Sequence, residues 1–210
     1  MGDSWSSSQA PTIEVTANGT APIESIQILD ADGPVRTWRP AVSRSHSRLR
    51  VSWRGARDRN RNRVQDWSGG LRVEGANIVE AEEWAFDHPD QGISGRTQDT
   101  VTWSSSTNGD PDGVVLTLEG SASTIDFAAG GVSLRVPAAE IPDDGLEIAI
   151  DSGVDRAVNL MWMPGSELPL DAYAVFDDLS IEPGRNAFVV KVTQSDGHCA
   201  WASPMFVEAD

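Results

Sequence analysis

Cysteine, lysine and tyrosine are nearly missing from this chain of 210 residues, each occurring once, as Cys199, Lys191 and Tyr173. A single cysteine excludes an internal disulfide framework. Histidine is scarce as well. His46, His88 and His198 share no ligand spacing, whereas a zinc or iron site draws on several converging N, S or O ligands. No apolar run approaches the roughly 20 residues of a membrane-spanning helix, so no membrane partner is expected. The opening M-G-D-S-W-S-S-S-Q-A-P has neither the basic nor the apolar region of a secretory signal, and the chain as written is expected in the cytoplasm. A G-x-S-x-G elbow, a phosphate-binding loop and a dinucleotide fingerprint are all missing.

Acid, by contrast, is abundant. Thirty-two Asp and Glu face sixteen Lys and Arg, for a formal net charge of -16. A balance this negative argues against a nucleic-acid partner and favours solubility through self-repulsion. The charge is uneven. Arg36 to Arg72 carries eleven arginines against Asp58 and Asp66, a net of +9, which leaves -25 on the remainder. The densest part is the loop with Arg57, Arg59, Arg61 and Arg63, between the turns Trp53-Arg54-Gly55 and Trp67-Ser68-Gly69. Arginine's planar fork suits bidentate anion recognition, so the loop is a candidate site for a phosphate, a sulfated glycan or RNA. It equally suits a bracing role, with arginines stacking on Trp53 or Trp67 and pairing with acids, or docking onto an acidic partner.

Nineteen glycines and twelve prolines, dispersed along the chain, punctuate short alternating runs. Ile13, Val15 and Ala17 share a face before Asn18-Gly19. Ile26 and Ile28 lead into the turn Asp30–Pro34, with a return strand over 35–38. Residues 1–10 read as loose and 39–47 as a linker. Leu49, Val51 and Trp53 then alternate with Arg48, Arg50, Ser52 and Arg54. Leu71-Val73 follows, and 78–86 reads as a strand, although Glu80, Glu82 and Glu83 are also good helix formers. Further runs fall at Val101-Trp103, Val114–Leu118, Ile125–Phe127, Val132–Val136, Leu146–Ile150, Val158–Met163, Tyr173–Ile181, Ala187–Gln194 and Trp201–Val207. Strands of this size separated by turn clusters predict an all-β, antiparallel β-sandwich fold. The terminal hairpins are each too small to stand alone. Residues 10–63 with 166–208 are therefore expected to form one immunoglobulin-like sandwich, with 64–165 as an inserted, jelly-roll-like sandwich.

Several blocks are more specific: M-G-D at the start, A-P-I-E-S-I at 21–26, W-R-G-A-R at 53–57, W-S-G-G-L-R-V-E-G at 67–75, D-G-V-V-L-T-L at 112–118 and V-T-Q-S-D-G-H-C-A-W-A-S-P-M-F-V at 192–207. In that order they resemble the C-terminal β-rich portion of a bacterial domain-of-unknown-function family, number 3604. Full-length members resemble metal-dependent hydrolases of the polymerase-and-histidinol-phosphatase (PHP) type, with an N-terminal catalytic barrel. The resemblance implies that this chain corresponds to the accessory part, not itself an enzyme, with a PHP-like hydrolase domain or a second copy as partner. It transfers no metal ligand to any residue here.

The remaining candidates come from the residues themselves. Asn108, Asp110 and Asp112 in N-G-D-P-D-G could offer oxygens to calcium, which takes six to eight, or simply form a hairpin turn; no other cofactor is expected. Adjacent acids such as Glu82-Glu83, Asp143-Asp144 and Asp177-Asp178 point to opposite faces of a strand, which gives no glycosidase pair. Eight tryptophans raise a carbohydrate-binding alternative. Trp53, Trp103 and Trp162 run in phase with apolar neighbours, and Trp67 and Trp201 sit at structural turns. Trp5, Trp38 and Trp84 are the expected exposed ones.

Overall fold

The computed structural model describes residues 2–41, 44–56, 63–150, 153–164 and 168–209. They form an all-β fold of antiparallel sheets packed as sandwiches, with one short 3-10 turn at Ala138–Glu140. The strands are β1 (Ser4–Ser6), β2 (Ile13–Asn18), β3 (Ile23–Leu29), β4 (Pro34–Trp38), β5 (Arg44–Ala56) and β6 (Gln65–Asp66). Next come β7 (Gly69–Trp84), β8 (Gly92–Arg96), β9 (Thr100–Ser104), β10 (Ser106–Thr107), β11 (Pro111–Ala129) and β12 (Val132–Pro137). The last are β13 (Leu146–Ala149), β14 (Val154–Pro164), β15 (Asp171–Phe176), β16 (Gly184–Gln194), β17 (Cys199–Trp201) and β18 (Met205–Ala209).

The chain divides into two units, Met1–Val42 with Ser166–Asp210, and Ser43–Gly165. The expected boundary at 63 is therefore corrected to 42. Strand β5 hydrogen-bonds to β11 on one side and β14 on the other, so it is a central strand of the second unit. The arginine-rich segment after it lies inside that unit's sequence and does not mark the crossing. Residues 44–47, expected as linker, already belong to β5, with Arg44 opposite Pro164.

In the first unit one sheet runs β1-β18-β16-β3-β4, with β17 also on β16, and the second sheet is only β15-β2. Alternation places Ile13 from β2 and Ala172, Ala174 and Phe176 from β15 against Ile26, Ile28, Phe188, Val190 and Val207 of the larger sheet. These side chains make the core. The opening segment is not loose: Ser4–Ser6 adds to β18 in parallel, with Trp5 opposite Val207.

The second unit is built on an eight-stranded sheet, β13-β14-β5-β11-β7-β9-β8 with β12 on β11, bent so that its halves face each other, beside a two-stranded sheet of β10 and β6. The bend is local. Ser121, Ala122 and Ser123 bulge opposite Gly75, between the pairs Gly120–Ala76 and Thr124–Glu74. Gly75 has φ 86°, and a Cβ there would lie 2.6 Å from the Ser121 carbonyl oxygen. Beyond the bulge β11 and β7 continue as one pair, so Leu116 and Leu118 line one layer while Ile125 and Phe127 line the other. Gly75→Ala is expected to destabilise the protein by about 1–3 kcal/mol, the scale of a strained left-handed residue, visible as a lower denaturant midpoint.

Aromatic rings centre this core. Trp53 stacks on Trp103 at 4.3 Å and 10°, with Phe127 and Phe86 around the pair. Each buried indole N–H among Trp53, Trp67 and Trp103 has an acceptor. Trp53 Nε1 donates to Ser105 Oγ at 2.8 Å, Trp67 Nε1 to Thr107 Oγ1 at 3.0 Å and Trp103 Nε1 to the Trp67 carbonyl at 2.7 Å.

Candidate functional site

The anion candidate of the sequence falls mostly outside the described residues: Arg57, Arg59 and Arg61 lie there, while Arg63 is exposed with φ 49°. The arginine over the Trp67 ring is Arg156, at 4.9 Å, and Trp53 is sandwiched by rings instead. Bracing by arginine does occur at Arg54. Its guanidinium donates to both Glu147 oxygens (2.7 and 3.1 Å) and both Asp155 oxygens (3.1 Å each), tying β5 to β13 and to the start of β14. The Glu147 hydrogen bond is the main influence raising the Arg54 pKa, and burial opposes it.

The calcium candidates are split by the strand they lead into. Asn108 and Asp110 are on the exposed turn, where Asp110 Oδ1 accepts the Asn108 N–H at 3.1 Å. Asp112 is inside, 3% exposed, and accepts from Ser105 Oγ at 2.6 Å. Burial pushes its carboxyl up to about 6; the Ser105 hydrogen bond opposes the rise, and Asp110 and Asp87 add to it. Among the described residues no group of three or more His, Cys, Asp or Glu side chains is placed to hold a metal ion.

Trp53 and Trp67 are buried, but Trp201 is not, against the expectation of a core position in the closing hairpin. It is 59% exposed, more than Trp5 at 38%, while Trp38 and Trp84 are half-buried. Trp201 lines a groove of about 620 Å³ in the first unit. One wall is β2, all six residues of which line it; the other is Cys199–Ala202. The floor is Ile23, Val190, Val192 and Met205. Consecutive residues lining a wall means the wall is a strand edge, because side chains alone would line it alternately.

Register identifies the backbone groups on each edge. Gly19 donates to the Leu170 carbonyl at 2.8 Å, next to the pair Asn18–Asp171. Antiparallel pairs alternate, so Ile13, Val15 and Ala17 bond to β15, and Glu14, Thr16 and Asn18 turn their N–H and C=O groups to the groove. On the other wall Ala202 donates to Val190 and Gln194 to His198, which places the backbone groups of Cys199 and Trp201 on the outer edge of β17. Among the described residues β2 pairs with β15 alone and β17 with β16 alone.

The side chains around the groove are mostly committed. Gln194 Oε1 accepts from Ala21 N at 2.8 Å and Thr20 Oγ1 at 3.3 Å, holding the 19–21 turn against β16. Lys191 Nζ lies 5.2 Å from the centre of the Trp201 ring. Tyr173 donates to Glu14 Oε2 at 3.0 Å, and that bond is the main cause of its raised pKa. Cys199 is exposed, with Sγ 3.6 Å from the Gly197 carbonyl and from Thr193 Oγ1. The sequence picked out the block 192–207, which holds Gln194, Cys199 and Trp201, for its resemblance and not as a strand edge. An edge has no residue signature: whether a strand is flanked depends on chain far away in sequence.

No protein-family model, no curated protein and no solved structure matches the chain.

Proposed function

We propose that the chain is a non-catalytic accessory β-sandwich module that binds a PHP-like hydrolase domain, a partner chain or a second copy of itself. In its finer form the first unit is immunoglobulin-like and the second jelly-roll-like. The observation that carries the reading is the groove between β2 and β17, an apolar floor of about 620 Å³ walled by two strand edges. Such a surface suits binding another chain. The resemblance of the segment 192–207, which includes β17, to family 3604 supports the same role. The purified chain, assayed on p-nitrophenyl phosphate with Mg²⁺, Mn²⁺ or Zn²⁺, is expected to show no turnover. It is expected to associate reversibly with itself or with a purified PHP-type hydrolase domain in sedimentation velocity. Phosphoester turnover that persists through purification overturns the reading.

The exposed Trp201 ring favours a second reading, a carbohydrate-binding module, because sugars stack on accessible indoles. Calorimetry with neutral and acidic oligosaccharides decides it. Heat of binding that disappears in Trp201→Ala supports the sugar reading, and silence across the series removes it.

A further inference from the structure

We infer that the groove of the first unit is a strand-addition slot, taking an extended segment of another polypeptide that is basic and apolar at alternate positions. The inference rests on the accessory reading and names the chemistry of its partner. Three observations converge on it.

The first is incompleteness. The smaller sheet has two strands facing a sheet of six, so cover over Val190 and Val192 stops at β2. A third strand beside β2 would continue the layer over the exposed part of that floor. The second is the backbone. Glu14, Thr16 and Asn18 present a row of donors and acceptors along a strand of six residues, with Ile13, Val15 and Ala17 bonded the other way. Ladder bonds to that row would supply affinity without regard to sequence, while alternate side chains pointing at the floor supply selectivity. The third is charge. The unit's sequence holds four basic residues, Arg36, Arg39, Arg185 and Lys191, against thirteen acids, a net of -9. A basic segment is attracted to that field and an acidic one repelled.

The outer backbone edge of β17, at Cys199 and Trp201, stands on the wall facing β2. Register puts the two side chains on the sheet face of Lys191 and Thr193, away from the Val190 and Val192 floor, so a guest strand meets backbone on this wall.

The test uses the full chain and a blocked hexapeptide alternating arginine and valine. Its controls alternate arginine and serine, or carry N-methyl groups on alternate residues to remove the ladder donors. Amide exchange along β2 is followed. The arginine–valine peptide is expected to slow exchange severalfold at Glu14, Thr16 and Asn18, while Ile13, Val15 and Ala17 stay as they were. Both controls are expected to leave exchange unchanged. Trp201→Ala, which removes a ring on the Lys191 face of the sheet, is expected to leave the protection in place. The inference is overturned if the peptide protects none of the three amides or if the N-methylated peptide protects equally. It is also overturned, in favour of a sugar site, if a neutral oligosaccharide protects them and the peptide does not. Each of these outcomes leaves the accessory reading standing, because that reading is decided by phosphoester turnover and by association.

Discussion

Trp53→Ala is expected to lower the stability of the second unit by about 3–5 kcal/mol, the range for removing a fully buried large aromatic side chain. Two losses combine. The ring leaves a hole beside Trp103 and Phe127, between layers joined through a bend that limits collapse. Ser105 Oγ, which accepts the indole N–H and donates to Asp112, loses its donor inside the core. Domains of this size hold about 5–15 kcal/mol in all, so the variant would sit near the edge of folding. Hydrogen exchange read by segment is the appropriate measurement, since a two-unit chain has no single unfolding free energy. Faster exchange should appear in β5, β9 and β11. Trp201→Ala, which removes an exposed ring, should leave exchange in those strands unchanged; an equal effect from both substitutions would contradict this account of the core.

The second large effect is a pH dependence centred on Asp112. Burial raises its carboxyl to about 6 in the folded state, above the ordinary 3.8. The folded protein therefore holds a proton that the unfolded chain gives up. Above pH 6 the carboxylate is ionised in both states and its penalty is fully present. As pH falls from 6 towards 4 the folded state takes up the proton first, and this residue's contribution to stability improves. A tenfold difference in proton affinity between the two states is worth about 1.36 kcal/mol. The gain is then on the order of 1–2 kcal/mol, once the solvent near Asp87 and Asp110 is allowed for. Asp112→Asn keeps an oxygen for Ser105 and removes the charge. It is expected to raise the denaturant midpoint at pH 7 and to flatten the profile between pH 4 and 6. A wild-type profile that falls with acid throughout that window, unchanged by the substitution, would show that Asp112 is not responsible.

How much of this is legible in the sequence depends on how local each cause is. Leu49, Val51 and Trp53 announce β5 because one face of the strand meets the core at every second residue. The runs Val114–Leu118 and Ile125–Phe127 read as two strands because the bulge at 121–123 breaks the period, although the backbone pairs on as one strand, β11. The segment from Ile78 is ambiguous in sequence because Glu80, Glu82 and Glu83 are all exposed near the end of β7, where the core contributes little pattern. Trp201 escapes for a less local reason. Its place after a turn and before an apolar run predicts a strand correctly, but not that β18 would leave β16 to a short β17 just there. Asp112 follows a similar course: N-G-D-P-D-G has the composition of a surface turn, and only pairing with Trp53 across β5 draws its last carboxylate inward.

The pairing of Arg44 with Pro164 bears on the order of events during synthesis. The first unit is assembled from both ends of the chain: β3 must find β16, and β2 must find β15. With the intervening Ser43–Gly165 still unfolded, joining these ends means closing a loop of more than a hundred residues, at a chain-entropy cost of about 4 kcal/mol. Once the second unit has folded, its first and last strands lie side by side and deliver the two connections together. That entropy has then already been spent. The middle of the chain is thus its own assembly jig. Pairing β2 with β15 and β3 with β16 is therefore cheapest in chain entropy once the segment between them has folded.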